Sequence, residues 1–179
     1  MDYPYQRIEQ KCRELGLEPT TQTLFVSVSK KKLWHYSFGD EVRSYDVSTS
    51  RKAPSCIENS LGTPSGLHRI TEKIGHDAPI GMVFKGRRPV GKCYWELPDH
   101  DQVSNNLITS RILRLRGLEP GINSGVGVDT YNRYVYIHGT NHENRIGEPL
   151  SAGCVLLRNQ EMIHLFDRIP VNSLLLIEV

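Results

Sequence analysis

Residues 133–139 read RYVYIHG, and residues 153–158, after a polar loop, read GCVLLR. In an extended strand successive side chains point to opposite faces. Val135 and Ile137 therefore share one face of the first run, while Tyr134, Tyr136 and His138 share the other. In the second run Cys154, Leu156 and Arg158 lie together, opposite Val155 and Leu157. The aliphatic positions form the natural core face, so a histidine and a cysteine are both expected on cleft-facing sides of two short strands.

Working outward, the same alternation recurs. TLFVSVS (23–29) and LWHYSF (33–38) are separated by KKK and read as a hairpin with a solvated turn. EVRSYDVSTS (41–50), LITSRILRLRG (107–117) and VNSLLLIEV (171–179) read as further strands, and TPSGLHRITEKIG (63–75) follows a loop rich in polar residues, Pro and Gly. Helical spacing occurs twice. Tyr5, Ile8, Cys12 and Leu15 precede a stop at Gly16, and Asn159 is placed to cap a helix carrying Met162, Leu165, Phe166 and Ile169. Residues 77–105 hold turn signals with fewer clear periods and are expected to form a surface connection or a substrate-covering loop. Strands outnumber helices and no βαβ alternation is present, so the expected fold is mainly β, α+β. Residues 1–20 form an N-terminal helix and lead-in, and 21–179 the body of one compact domain.

The totals exclude several functions. The 22 Lys and Arg against 20 Asp and Glu give a formal charge of +2, too balanced to indicate nucleic acid or an anionic membrane as partner. No window approaches a membrane span. The start lacks the basic, apolar and small-residue sequence of an export signal, so a cytoplasmic location is expected if Met1 is the native start. The four cysteines, Cys12, Cys56, Cys93 and Cys154, are spread without a CxxC pair, which favours reduced thiols.

Ala152 and Gly153 offer little bulk before Cys154, as an oxyanion hole built from backbone N–H groups requires. A cysteine is mostly protonated at neutral pH and needs a neighbour, usually histidine, to accept its proton. From pattern alone, a buried thiol and an unrelated histidine remain the simplest reading. A metal site using His138, His142 and Cys154 is the competitor, but HGTNH contains Gly139 and Asn141 and lacks the helical geometry of a zinc HExxH. His35, His76, His100 and His164 read as surface or packing residues, and His68 and Lys73 as candidate cleft-lining residues.

YIHGTN followed by IGEPLSAGCVLLRN, with TPSGLHRI upstream, resembles the L,D-transpeptidase catalytic domain (YkuD) family over roughly Thr21 to Ile169. The resemblance implies a β-sandwich-like fold with an active-site cap and no metal or organic cofactor. It implies Cys154 as nucleophile on a murein tetrapeptide stem, His138 as general base oriented by the Gly139 carbonyl, and an oxyanion held by N–H groups near Gly153 and Cys154. Ser151, Thr140 and Tyr136 fall among the substrate-binding positions. Many members carry histidine at the position of Ala152 and arginine at that of Leu156, so Arg158 or Arg145 is expected to take over recognition of a substrate carboxylate. Signal-less members of the family are L,D-carboxypeptidases, and release of D-alanine in muropeptide recycling is the expected outcome, with periplasmic cross-linking the alternative. A zinc-binding or non-catalytic murein-binding module is the reading from another class.

Overall fold

The structure is a computed structural model describing residues 4–104 and 106–179; Met1–Tyr3 of the expected lead-in and Asn105 of the expected connection lie outside the described residues. Helix α1 (Pro4–Glu14) turns Ile8 and Cys12 inward and is followed by Gly16 at φ +65°. The strands are β1 (Gln22–Ser27), β2 (Lys32–Ser37), β3 (Asp40–Asp46), β4 (Gly66–Ile74), β5 (Met82–Lys85), β6 (Arg88–Cys93), β7 (Ile108–Gly117), β8 (Tyr136–Gly139), β9 (Val155–Leu157) and β10 (Leu174–Glu178). Helices α2 (Asp99–Ser104) and α3 (Asn159–Arg168) complete the described elements, with short 3-10 turns at Tyr94–Glu96 and Glu143–Arg145.

All ten strands belong to one mixed sheet in the order β3-β2-β1-β10-β4-β7, beyond which β7 carries both the β5–β6 hairpin and the β8–β9 pair. Pairing is antiparallel except β1 with β10 and β8 with β9. The free edges of β9 and β3 meet. Ser48, just past β3, donates its N–H to the Leu156 carbonyl at 3.0 Å and accepts the Leu156 N–H at 2.8 Å. The sheet thus closes on itself, which satisfies backbone groups an open edge would leave unpaired.

Strand alternation sorts the apolar residues as the sequence implies. Leu24, Val26, Leu113, Leu115, Ile137, Val155, Leu157, Leu175 and Ile177 point into one core sealed by Met162, Leu165 and Phe166 of α3. The opposite faces of β1, β4 and β10 present Phe25, Leu67, Leu174 and Leu176 to α1. A third, smaller cluster of Phe84, Ile112 and Tyr136 packs with Cys154 beneath the β5–β6 hairpin.

Two local expectations are corrected. Residues 77–105 contain the β5–β6 hairpin, a 3-10 turn and α2 rather than a plain connection. The hairpin reverses at Gly86 and Arg87, both with positive φ, the geometry of a tight two-residue turn. Asn159 is also not the N-cap of α3. Arg158 occupies that place without a side-chain cap bond, and the Glu143 carboxylate accepts the Asn159 N–H at 2.5 Å instead.

Candidate active site

The parallel β8–β9 register sets Ile137 opposite Val155 and His138 opposite Leu156. Cys154, immediately before β9, therefore lies alongside Tyr136. Cys154, Tyr136 and His138 share one face of the sheet, with His138 one pleat further along. Strand spacing and rise put the Cα atoms of such diagonal neighbours on the order of 8 Å apart, close enough for a cysteine and a histidine to meet.

The turn carrying the nucleophile is held by its own side chains. Ser151 donates its hydroxyl to the Cys154 carbonyl at 2.6 Å and accepts the Gly153 N–H at 3.2 Å. Gly153 sits at φ +128°, and a Cβ there would come within 3.3 Å of the Gly62 carbonyl; glycine is thus required on both conformational and steric grounds. Ser151 is 2% exposed and its hydroxyl is spent on the turn, although it borders the cavity beside Ala152. It also takes the Gly153 N–H, which is therefore not a free oxyanion donor. Leu156 donates its N–H away from β8, to the Ser48 carbonyl, and strand alternation turns the Cys154 N–H the same way.

His138 is buried, and its Nδ1–H donates to the Gly139 carbonyl at 2.7 Å. A carbonyl can only accept, so this bond fixes the proton on Nδ1 and leaves the Nε2 lone pair able to accept one. Gly139 is constrained in turn, since a Cβ would lie 2.6 Å from Asn159 Oδ1 and 2.7 Å from the Thr109 carbonyl. Asn159 is the fixing residue. Its Oδ1 accepts from the Thr109 and Ser110 hydroxyls at 2.5 and 2.6 Å, and its Nδ2 donates to the Thr140 carbonyl at 2.9 Å. Helix α3, β7 and the segment following His138 are thereby tied at one buried amide.

Burial holds both reacting groups neutral at rest. It pushes the Cys154 thiol up to about 11, against opposing pulls from the Tyr136 N–H and the Arg133 charge. It pushes the His138 imidazole down to about 4, although the bond to Gly139 favours the charged form. The resting pair is a thiol and a neutral imidazole, not an ion pair. The sulfur accepts the Tyr136 N–H at 3.4 Å and donates to the Tyr134 carbonyl at 3.8 Å. Its proton thus points at the strand backbone. A transfer of that proton to His138 would require the thiol to turn away from the strand backbone.

The other expected residues separate from this centre. Thr140 is fully buried; it donates to Asn106 Oδ1 at 2.9 Å and accepts the His142 N–H at 3.1 Å, a turn-forming role. Tyr136 is also buried, and its phenol accepts from Arg87 at 3.1 Å. Arg145 pairs with Glu148 at 2.8 Å. Arg158 pairs with Glu161 at 3.4 Å and lies 4.0 Å from Asp46. Both expected carboxylate-binding arginines are already occupied by carboxylates, and Leu156 is fully buried in register with His138. His68 is buried between the Gly66 carbonyl and the Thr130 hydroxyl, and Lys73 caps the Phe166 carbonyl of α3 at 2.6 Å; neither lines the cleft. Among the described residues no three His, Cys, Asp or Glu side chains come together as metal ligands.

Two arginines not anticipated from sequence flank this region, and the charge of Arg133 acts on the sulfur. Arg87, on the hairpin turn, donates to Tyr136 and lies 5.2 Å over the Tyr134 ring. Arg133 donates to the Ser55 and Gly62 carbonyls at 3.0 and 2.7 Å and to the Ser60 hydroxyl at 3.4 Å. It latches the 55–62 loop beside the nucleophile turn. Arg133 directly precedes the YVYIHG run, but nothing in its sequence position discloses that contact.

A half-buried cysteine and a buried, tautomer-fixed histidine therefore share one face of adjacent strands in a closed β-sheet. The chain matches the L,D-transpeptidase catalytic domain (YkuD) family over residues 21–177 and belongs to it. It is 46% identical over 48 residues to YqjB of Bacillus subtilis, which bears the L,D-transpeptidase name, a stretch covering 27% of each protein. It is 46% identical over 41 residues to the probable L,D-transpeptidase ErfK/SrfK of Escherichia coli, covering 23% of this chain and 13% of that one. The matches thus span about a quarter or less of these relatives' lengths. Among solved structures, an Enterococcus faecium L,D-transpeptidase superposes with a TM-score of 0.53 at 14% identity, covering 89% of this chain and 50% of that one. Mycobacterium tuberculosis L,D-transpeptidase 3, with a faropenem-derived adduct, superposes at 0.52 and 13% identity, covering 89% and 60%. These likenesses show the shared fold.

Proposed function

We propose that this chain is a cysteine acyl-transfer enzyme of murein stems, cleaving the peptide bond between a diamino acid and the terminal D-alanine. The observation that carries the reading is the common face of Cys154 and His138, with the imidazole tautomer set by the Gly139 carbonyl. In this mechanism the Cys154 sulfur attacks the diamino-acid carbonyl while His138 Nε2 accepts the thiol proton. The Cys154 N–H stabilises the tetrahedral oxyanion. Collapse breaks the C–N bond, His138 returns the proton to the departing D-alanine amine, and a thioester remains.

The second nucleophile decides the product. Water returns a shortened stem and regenerates the thiol, the carboxypeptidase outcome expected from sequence in muropeptide recycling. An amine from another stem gives a cross-link, and the L,D-transpeptidase names of the relatives support this outcome. We favour cross-linking on that ground. The test is incubation with a tetrapeptide, with and without excess acceptor stem, followed by mass analysis. Dimer supports transfer to an amine, and D-alanine loss without dimer supports hydrolysis. Neither product from folded protein, together with no acyl adduct on Cys154 after exposure to a penem, would sink the acyl-transfer reading.

A further inference from the structure

Ala152 stands exposed on the turn before the nucleophile, and its small side chain leaves open space on both flanks. One cavity of about 270 Å³ runs from Ala152 past Leu61 to Arg51 and Lys52. Another of about 260 Å³ runs from Ala152 and Leu61 to Arg133 and Glu58. The second is the more informative because its charges are unmatched. Three of the five N–H groups of Arg133 are spent on the 55–62 loop, two of them on backbone carbonyls that supply no negative charge. Among the described residues no carboxylate lies within ion-pair distance of Arg133, and none of the described cations pairs with Glu58. The two opposite charges face the same small space without touching, and Leu61, Val135 and Ala152 supply apolar wall between them.

A space with separated positive and negative walls suits a zwitterion. Its volume is close to the ~300 Å³ lower end for small-molecule sites, enough for the end of a side chain, and a cavity of about 420 Å³ shares its Glu58, Asn132 and Arg133 walls. Taking the proposed function as the basis, we propose that this cavity binds the free α-amino-acid end of a diamino acid residue in a murein stem. Arg133 receives its carboxylate, Glu58 its ammonium, and Leu61 and Ala152 its methylene chain. That end belongs either to the donor stem, whose backbone carbonyl is attacked at Cys154, or to an acceptor stem presenting its amine.

The test is calorimetric binding to the Cys154→Ala protein, which reads the cavity whether or not turnover occurs. Three stem tripeptides are compared, ending in meso-diaminopimelate, in its side-chain amide, and in lysine. The expected result is at least tenfold tighter binding of the diaminopimelate peptide than of the lysine peptide. Arg133→Gln erases that difference, and Glu58→Gln weakens the diaminopimelate and lysine peptides alike, because both carry the ammonium. Glu58 is exposed and makes no side-chain contact that the fold needs, so its variant reads the site even if loss of Arg133 loosens the 55–62 loop. Equal affinity for all three peptides, no measurable binding, or no change in Glu58→Gln would overturn the proposal.

In otherwise wild-type enzyme Glu58→Gln separates the two sources. Slower D-alanine release places the donor's own end in the cavity, whereas unchanged release with loss of dimer places the acceptor there. Selective binding by a protein that releases no D-alanine would sink the proposed function and leave the cavity assignment standing.

Discussion

The two flanks of Cys154 are built on opposite plans. On the β8 and α3 side the polar groups are paired inside the protein: His138 with Gly139, Asn159 with Thr109, Ser110 and Thr140, and the Asn159 N–H with Glu143. On the loop side Arg133 has no carboxylate at ion-pair distance among the described residues, and Ile57, Leu61, Val126 and Tyr134 are exposed at 64, 49, 105 and 55%. The first flank costs nothing to reorganise when the reaction begins, which is what electrostatic preorganisation requires. The second has unmet charge and uncovered apolar surface, which a ligand can satisfy. Under the proposed function, chemistry belongs to the ordered side of the sulfur and selection to the open one.

The most severe way to break this comparison is to remove the centre between the flanks. Cys154→Ala should lower turnover on the order of 10^4-fold or more, the scale seen when a covalent nucleophile is lost. It should lower stability by no more than about 1–2 kcal/mol, because the half-buried sulfur makes two weak backbone bonds and packs against the Phe84, Ile112 and Tyr136 cluster. Residual turnover within tenfold of wild type would remove Cys154 from the mechanism.

Acid acts on buried histidines in three parts of the fold, of which His138 belongs to the ordered flank. His35, His68 and His138 are each pushed down to about 4 by burial, against about 6.5 in an unfolded chain. Between those values the unfolded chain binds protons that the native protein does not. Stability therefore rises with pH across the window and is lost as pH falls from about 6.5 toward 4. The three together give a slope of roughly 4 kcal/mol per pH unit. Urea denaturation at pH 7, 6 and 5 measures it; a flat response would refute the buried-neutral assignment. His138→Gln should remove about a third of the slope.

Asn159 is where sequence reading and structure part company, and the reason is physical. An asparagine before Met162, Leu165 and Phe166 has the local signature of a cap, and that signature depends only on near neighbours. The residues that claim its amide, Thr109 and Ser110, lie some fifty positions upstream, and their approach depends on Ser110 adopting φ +63° in a bulge of β7. No period in the sequence encodes that meeting. By contrast the faces of RYVYIHG and GCVLLR were legible, because β alternation needs only the residues themselves. The β5–β6 hairpin was missed because β6 exposes Arg88 to Lys92 and buries only Cys93, which removes the alternation that marks a half-buried strand.

Asn159→Ala should therefore cost about 2–3 kcal/mol, since the Thr140 carbonyl and the Thr109 and Ser110 hydroxyls lose buried partners. It should also lower kcat more than it raises KM, because the Gly139–Thr140 segment that orients His138 is released while the loop flank is untouched. A KM effect alone would mean that Asn159 serves binding rather than alignment.

The smallest expected effect sharpens which cations belong to the open flank. Arg158 satisfies every sequence criterion for a substrate-carboxylate anchor, standing on the Cys154 face two pleats along. Its guanidinium instead meets Glu161 and approaches Asp46, and it is 39% exposed. An exposed pair of this kind contributes at most about 1 kcal/mol. A substrate carboxylate would have to displace two existing ones to use it, whereas Arg133 offers charge with no competitor. Arg158→Ala should then shift stability by less than about 0.5 kcal/mol and KM by less than threefold. A tenfold rise in KM without loss of stability would move the anchor from the loop flank to α3, and the division between a fixed and a selecting side would fail at that point.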